Sequence, residues 1–314
     1  MNIRSFLSKK DPAFLGAAAI MLAAFLWAVD GVLLRPSLYS LDVAIVVFLE
    51  HFLAFVYMAP FLLRHKKELL SFGPSQWAAF IWIALFGGAI GTMAITQALF
   101  LVNFVPLSVP ILLQKLQPVF AILLAAVLLK EKPSKKFYSL AIIALAGSYL
   151  VTFGFDSPVL SLDNKTFVAA LLGLLAAFSW GSCTTVGRYA LNKVGYLLTT
   201  YLRFGLTALI MISFILSTGK LAAFSLVGQN QLLTLLVIVF SSGGVAMFIY
   251  YYGLKSVPAS KATLYELVFP LSSIVLDFVL HGKLLSFGQF TGAVLLMYSV
   301  VMISRVKINT GQPA

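Results

Sequence analysis

Ten continuous apolar stretches divide the chain, and they constrain its fold more than any other feature of the sequence. They lie at about 14–34, 43–63, 77–99, 107–129, 137–155, 167–187, 197–218, 231–252, 260–280 and 287–304. A helix that crosses a bilayer needs about 20 apolar residues, each rising 1.5 Å, and every stretch is close to that length. Transmembrane barrels instead show roughly ten-residue segments of alternating polarity. The chain is therefore predicted to be an all-α integral membrane protein with ten transmembrane helices.

Charged residues are scarce, and they are distributed unevenly between the loops. They make up 10% of the chain, against about 25% of soluble domains. Sixteen Lys and Arg residues lie in loops on the N-terminal side of the predicted bundle, and four lie in loops on the other side. Because positive loops stay in the cytoplasm, both termini are predicted to be cytoplasmic. The same distribution accounts for the net charge of +12, so no nucleic-acid partner is expected.

The location of the protein is predicted from its first apolar stretch, residues 14–34. This stretch is longer than the apolar core of a signal peptide, and no small-residue cleavage pattern follows it. It is predicted to remain as the first helix of a multi-pass protein of the cell membrane, either a plasma membrane or a bacterial inner membrane.

Two parts of the chain resemble each other. Residues 105–128 and 257–280, which are 152 positions apart, are identical at nine of 24 positions, including two prolines and a serine in register. In a second match, shifted by 153 positions, Trp27 aligns with Trp180. The first predicted helix therefore corresponds to the sixth, and the fourth corresponds to the ninth.

This correspondence divides the chain into two five-helix repeats, predicted at 1–155 and 156–314. Because five is an odd number, the second repeat must enter the membrane from the opposite side. The two repeats would then be inverted with respect to each other. Inverted repeats are typical of secondary transporters, whose substrate sites lie near the membrane midplane.

Several motifs resemble those of a known family. The segments AAFLWAVDGV and AAFSWGSCTT open the two halves, and LQPVFAILLAAVLLKEK ends the fourth predicted helix. In their order and spacing they are similar to the EamA family of the drug/metabolite transporter superfamily, over essentially the whole chain. The resemblance implies ten helices, cytoplasmic termini, a central cavity between the halves, and movement of metabolites such as amino acids, often as export. The chain departs from the family pattern at Lys283, which aligns with Glu131, and at Lys115.

Four ionisable residues lie at bilayer depth: Glu50, Lys115, Arg203 and Glu266. Each costs roughly 2.5–3.5 kcal/mol at a helix centre on insertion scales, so each is expected to face the protein interior or water. Counted along their helices, Glu50 and Lys115 lie at similar depth in the membrane, and so do Arg203 and Glu266. Two ion pairs are therefore predicted, Glu50 with Lys115 and Arg203 with Glu266. The alternative is that they only hold helices together, although such contacts average about 0.6 kcal/mol.

The ninth predicted helix carries a polar stripe. Thr263, Glu266, Pro270, Ser273 and Asp277 recur at spacings of three and four residues, which places them on one helix face. A polar face is unfavourable against lipid, so this face is predicted to line a cavity.

Other residues complete the predicted site. The substrate-binding set is Lys115, Glu266, Tyr265, Gln114, Arg203, Glu50, Trp27, Trp180, Thr263 and Gln97. Pro118 and Pro270 each remove a helix hydrogen bond and are predicted hinges, although proline is also simply commoner in transmembrane helices.

Three further features have a structural interpretation. Asp30 lies near the outer edge of the first helix and is expected to be solvated. The tyrosines at 250–252 are expected to form an interfacial belt. Gly87 and Gly91 form a GxxxG motif, which is typical of close helix packing.

The function predicted from these features is transport of small polar metabolites by alternating access. The expected substrates are amino acids or related compounds, with export as the expected direction. Lys115 and Arg203 could contact a substrate carboxylate, and Glu266 and Glu50 could carry a coupling proton. The alternative within the superfamily is an antiporter of organic anions or sugar phosphates.

A membrane-embedded enzyme is disfavoured, because the histidines at 51, 65 and 281 are scattered and Cys183 is the only cysteine. No catalytic residue, metal or cofactor is predicted. The expected partners are a small-molecule substrate, the lipid bilayer and protons, and the expected assembly is a monomer or homodimer.

Overall fold

The computed structural model describes residues 11–101, 109–156, 164–282 and 284–310. This part of the chain is helical almost throughout. The helices, with a and b for the two parts of an interrupted helix, are α1 (Pro12–Val29), α2 (Val43–Leu70), α3a (Pro74–Trp82), α3b (Gly91–Leu101), α4a (Val109–Gln114), α4b (Gln117–Leu128), α5 (Lys135–Phe153), α6 (Asn164–Leu191), α7 (Tyr196–Ser217), α8a (Gln229–Phe240), α8b (Gly244–Leu254), α9a (Ala259–Tyr265), α9b (Val268–His281) and α10 (Phe287–Arg305). Two short strands, β1 (Glu131–Lys132) and β2 (Asn309–Thr310), pair antiparallel.

Nine helical stretches of the described residues are long and apolar enough to cross a membrane. They confirm the prediction of an all-helical membrane protein. The exception is α4, whose longer part α4b has 12 residues. The predicted fourth stretch begins at residues 107 and 108, outside the described residues, so the tenth crossing stays a prediction.

Helix boundaries follow local capping chemistry. The Asp42 carboxylate accepts a hydrogen bond from the backbone N–H of Ala44 at 2.8 Å and begins α2. Ser286 and Gln289 form a reciprocal capping box at the start of α10. At the end of α5, Gly154 has a φ of 63°, a value that residues with a side chain rarely adopt.

Several helices are interrupted in the middle of the bundle. α1 continues as a π-helical turn at Asp30–Leu34, and a π-helical segment at Ile83–Ile90 joins α3a to α3b. α4 and α9 are each broken shortly before an aligned proline, Pro118 or Pro270. Because proline has no backbone N–H, the preceding turn loses a hydrogen bond, which favours a break there. α8 is broken before Gly244, where a Cβ would lie 2.4 Å from the Val239 carbonyl oxygen.

Helix contacts follow the same pattern in both halves. α1 packs on α8b and α9b, and its counterpart α6 packs on α3b and α4. α2 packs on its own counterpart α7, and α5 packs on α10. Exchanging each helix with the one five places along therefore leaves these main contacts unchanged.

Small residues make these close contacts possible. A Cβ on Gly292 in α10 would lie 2.5 Å from the backbone nitrogen of Val151 in α5. A Cβ on Gly88 would lie 2.0 Å from Thr207 Oγ1, and one on Gly87 would lie 2.8 Å from Cys183 Sγ. The predicted packing role of the GxxxG motif is confirmed, because the Gly87 region lies directly against α6 and α7.

Glu131 links the two halves of the chain outside the helix core. Its carboxylate accepts hydrogen bonds from the backbone N–H groups of Ala259 and Ser260, at 2.8 and 3.0 Å, and from the Ser260 hydroxyl. Only 3% of Glu131 is exposed. The carboxylate therefore caps the first turn of α9a, where the helix dipole favours a negative charge.

The α5–α10 contact yields a stability prediction. Gly292→Ala should destabilise the protein by about 1–3 kcal/mol, because the added Cβ meets backbone atoms that cannot rotate away. Thermal unfolding of the purified protein, followed by tryptophan fluorescence, measures the effect. Gly195→Ala is the matched control, since a Cβ there has no heavy atom within 4 Å. Equal midpoints for the two variants would contradict the close packing of α5 on α10.

Candidate functional site

A cavity of about 530 Å³ lies between α1–α4 and α6–α9. Its volume is within the roughly 300–1,000 Å³ range of small-molecule sites. Among the described residues, α5 and α10 contribute no side chain to its wall. The cavity is thus built from both halves of the chain, with four helices from each.

The helix interruptions converge on this cavity. Its wall includes Lys115 from the break in α4, Ser242 and Gly243 from the break in α8, and Glu266 and Leu267 from the break in α9. Non-helical backbone at membrane depth is stable only where protein or a water-filled space surrounds it. The breaks therefore mark the cavity as the polar centre of the molecule.

Asp30, Arg35 and Glu50 form an ion cluster in the cavity wall. Arg35 donates from Nε and Nη2 to Asp30 Oδ2, at 3.1 and 2.5 Å, and its Nη2 lies 3.3 Å from Glu50 Oε2. The predicted pair of Glu50 with Lys115 is therefore wrong, and so is the expectation that Asp30 is solvated, since 6% of it is exposed. The helical continuation of α1 beyond Val29 turns Arg35 inward, although the sequence placed it in an outer loop.

Glu266 is held by neutral donors. Its carboxylate accepts hydrogen bonds from Gln117 Nε2 at 2.6 Å, from the Tyr250 hydroxyl at 2.8 Å and from the Thr184 hydroxyl at 3.3 Å. Gln117 belongs to the first half of the chain and the other groups to the second. This network therefore joins the two halves across the cavity.

Arg203 lies elsewhere, so the predicted pair of Arg203 with Glu266 is also wrong. Its Nη2 donates to the Gly87 carbonyl at 2.7 Å, and its Nη1 lies 3.4 Å from the Tyr251 hydroxyl. Gly87 is in the π-helical segment of α3, and a Cβ there would lie 2.6 Å from the guanidinium. The glycine is what allows the arginine to reach this carbonyl.

Lys115 lies in the break of α4 and forms no ion pair with any described residue. Its Nζ is 5.6 Å from the centre of the Phe269 ring, a distance at which a cation is attracted to the ring face. Among the described residues, the cavity therefore contains two cations without a carboxylate partner, Lys115 and Arg203, and one carboxylate, Glu266, without a cation.

Aromatic rings form much of the remaining wall. Trp27 packs on Tyr250, with ring centres 5.3 Å apart and planes tilted by 51°. Trp180 lies against Gly91, where a Cβ would be 2.8 Å from its indole nitrogen. The prediction of an interfacial belt is wrong for Tyr250 and Tyr251, which are buried and line the cavity.

Most of the predicted site residues are brought together in the wall. Those that line the cavity are Lys115, Glu266, Gln114, Arg203, Glu50, Trp27, Trp180, Thr263, Pro118 and Pro270. Tyr265 does not, because it is packed in the core with 2% exposed, and Gln97 lies exposed outside the wall. Ser273 of the predicted stripe lines the cavity, while the side chain of Asp277, like residue Lys283, lies outside the described part.

Sequence reasoning missed several wall residues: Asp30, Arg35, Gln117, Thr184, Tyr250 and Tyr251. The opposite charges of Asp30 and Arg35, five residues apart at the end of an apolar stretch, were the available signal for the ion cluster. Nothing in the sequence pattern distinguishes Thr184 from other small residues of α6.

Some buried polar atoms of the wall residues have no hydrogen-bond partner. They are Asp30 Oδ1, Arg203 Nε, Ser242 Oγ and Thr263 Oγ1. Buried polar atoms are nearly always paired. Four of the buried polar atoms without a partner therefore belong to residues of the cavity wall.

The sequence matches the model of the EamA-like transporter family over residues 14–153 and again over 167–305. The chain therefore belongs to this family, which confirms the resemblance. It is a multi-pass transporter of the cell membrane, in a family of transporters rather than enzymes.

Individual relatives are known. A protein of Fusobacterium nucleatum subsp. nucleatum named riboflavin transporter ImpX is 39% identical over 292 residues, covering 93% of this chain and 98% of that protein. The uncharacterized transporter YwfM of Bacillus subtilis is 27% identical over 187 residues, 60% of each chain. A crystal structure with 17% sequence identity superposes with a TM-score of 0.70, covering 94% of this chain and 97% of that one, and shows the same fold.

The ion cluster yields a double-mutant prediction. Arg35→Met should destabilise the protein by about 3–5 kcal/mol, because it leaves two buried carboxylates without their cation. Combining it with Glu50→Gln should recover part of that loss, with a coupling of about 0.5–3 kcal/mol. The control cycle of Lys115→Met with Glu50→Gln should be additive within about 0.5 kcal/mol. Unfolding free energies in mixed micelles measure both cycles, and a larger coupling for Lys115 would restore the pair predicted from sequence.

Proposed function

We propose that this transporter carries riboflavin or a closely similar flavin across the membrane. The observation that carries the proposal is the 39% identity to a protein named riboflavin transporter, which extends over 93% of this chain and 98% of that protein. A match of that length extends over both halves of the chain.

The chemistry of the cavity supports a flavin as substrate. Riboflavin combines a planar three-ring system, a pyrimidinedione edge with hydrogen-bond donors and acceptors, and a chain of hydroxyl groups. Trp27, Trp180 and Phe269 offer ring faces for stacking. Gln114 and Gln117, with Nε2 of the first 3.4 Å from Oε1 of the second, offer amide groups for the polar edge.

The remaining predicted site residues have matching roles in this proposal. Thr263 and Glu50 offer oxygen atoms to substrate hydroxyl groups, and Lys115 and Arg203 offer donors to ring carbonyls. Pro118 and Pro270 are the points about which the two parts of α4 and α9 would swing. The cavity would then open alternately to each side of the membrane.

An inverted pair of five-helix repeats would perform this cycle. Its support is the set of main helix contacts, which is unchanged when the halves are exchanged, together with the two family matches at 14–153 and 167–305. The repeats are proposed at 1–155 and 156–314, with ten crossings and both termini in the cytoplasm. Broken helices that meet at such a repeat interface are the usual place of a transporter site.

A second candidate substrate is a small zwitterion such as an amino acid, moved outward. The observation in its favour is that Lys115 has no carboxylate partner and Glu266 no cation among the described residues. A zwitterion could place its carboxylate at Lys115 and its ammonium group at Glu266. The three donors that already satisfy Glu266 weigh against this arrangement.

Uptake by purified protein in liposomes tests the substrate. Labelled riboflavin should accumulate and labelled amino acids should not. Trp27→Ala and Trp180→Ala should each weaken riboflavin uptake roughly tenfold, equivalent to about 1.4 kcal/mol, through lost stacking. Trp77→Ala is the control, because Trp77 is 37% exposed and does not line the cavity. Amino-acid uptake without riboflavin uptake would replace the proposal by the second candidate.

Glu266 is the proposed carrier of a coupling proton, because its carboxylate is buried at the repeat interface without a cation. In wild-type liposomes, a pH gradient should stimulate riboflavin uptake. Glu266→Gln should abolish the stimulation while riboflavin still binds, as measured by quenching of tryptophan fluorescence. Glu68→Gln is the control, since Glu68 pairs with His65 away from the cavity. Equal stimulation of the wild type and Glu266→Gln, or none in the wild type, would contradict proton coupling at this residue.

A further inference from the structure

The charges of the cavity are balanced. Among the described residues that line it, the carboxylates are Asp30, Glu50 and Glu266, and the cations are Arg35, Lys115 and Arg203. The formal charge of three carboxylates and three cations is zero. The charges are unevenly distributed within the wall, however, because two of the carboxylates, Asp30 and Glu50, are paired with the same arginine, Arg35.

Two of the three guanidinium nitrogens of Arg35 are already bonded to carboxylates. Its Nε and Nη2 both donate to Asp30, and Nη2 also lies within hydrogen-bond distance of both Glu50 oxygens, at 3.3 and 3.4 Å. The cluster as a whole has a formal charge of −1. A phosphate brought to this arginine would lie close to both carboxylates, which are buried at 8% and 11% side-chain exposure.

The other cations do not form a phosphate site either. Arg203 uses Nη2 on the Gly87 carbonyl and Nη1 on Tyr251, and only its Nε has no partner. It therefore has one nitrogen left to donate, and not the pair of nitrogens that binds a phosphate. Lys115 offers a single ammonium group, opposite an aromatic ring. Phosphate monoesters carry about −1.5 to −2 at neutral pH and are usually bound by several donors, often arginine forks.

The same cluster suits uncharged hydroxyl groups. Asp30 and Glu50 both line the cavity. A carboxylate oxygen accepts a hydrogen bond from a hydroxyl group, and such a contact adds no charge to the wall. The carboxylates of the cluster therefore favour a hydroxylated chain and disfavour its phosphate ester.

We propose that the Asp30–Arg35–Glu50 cluster selects uncharged substrates and excludes phosphorylated ones, with Glu50 and Asp30 as the specificity-determining residues. The inference rests on the proposed flavin transport and names the chemical form that is carried. Riboflavin would pass, and riboflavin 5′-phosphate would not. The sugar-phosphate antiporter considered from the sequence is disfavoured for the same reason.

Competition in liposomes tests the proposal. Uptake of labelled riboflavin is measured against increasing unlabelled riboflavin or riboflavin 5′-phosphate, and the ratio of the two half-inhibitory concentrations is compared between variants. In the wild type, the half-inhibitory concentration of the phosphate ester should be at least about tenfold higher than that of riboflavin. One unfavourable charge contact commonly weakens binding by about that factor. In Glu50→Gln, which leaves Arg35 with one carboxylate, the ratio should fall roughly tenfold.

Asp42→Asn is the matched control. It removes one carboxylate from an ion pair with Lys220 that lies outside the cavity, so the ratio should stay at the wild-type value. Asp30→Asn is the second variant if Glu50→Gln does not fold, and it should lower the ratio in the same direction.

The outcomes separate the two proposals. Equal inhibition by both compounds in the wild type, or an unchanged ratio in folded Glu50→Gln and Asp30→Asn, would overturn the charge selection while leaving flavin transport intact. Absence of riboflavin uptake would overturn the proposed function instead. Charge selection is then decided by thermal stabilisation of the purified wild type and Glu50→Gln with inorganic phosphate. Charge selection is supported if phosphate raises the unfolding temperature of Glu50→Gln and leaves that of the wild type unchanged. Any other result, including a rise for the wild type, refutes charge selection.

Discussion

Charged side chains in a membrane interior are stable only where the protein itself solvates them. The described part of this transporter meets that constraint around one cavity and by three different means. Two carboxylates surround Arg35, three neutral donors hold Glu266, and a backbone carbonyl accepts from Arg203. Each arrangement needs groups from separate helices at fixed positions. The relative placement of eight helices therefore depends on these few polar contacts, while apolar packing against lipid would leave the helices free to slide.

The helical membrane fold was predictable because apolar length can be read along the chain, one segment at a time. The charged residues within the apolar stretches could be read in the same way, and Glu50, Lys115, Arg203 and Glu266 do line one cavity. The direction in which a side chain points around its helix axis could not be read from the sequence. Neighbouring residues point about 100° apart, so Glu266 enters the cavity while Tyr265 is packed in the core.

The predicted ion pairs failed for a related reason. Comparing positions along the helices assumes that each helix ends where its apolar stretch ends. The helical backbone that follows α1 continues past residue 34 as a 3₁₀ turn, Arg35–Leu38, and it brings in Arg35, a cation that the sequence analysis had assigned to a loop. Similarly, the π-helical segment of α3 offers the Gly87 carbonyl to Arg203, and no side-chain pattern in the sequence shows a backbone acceptor.

Glu131 gives the molecule a fixed reference point. Its carboxylate anchors the first turn of α9a, which is seven residues and therefore about 10 Å long, and Glu266 follows directly at the other end. A short helix is stiff along its axis. The position of the Glu131 carboxylate, outside the cavity, therefore fixes the position of Glu266, within the cavity, along the axis of α9a. In the strand pair β1–β2, Glu131 lies opposite Thr310 and Lys132 lies opposite Asn309. Strand β2 is thus connected through Glu131 and α9a to Glu266, although neither of its residues lines the cavity.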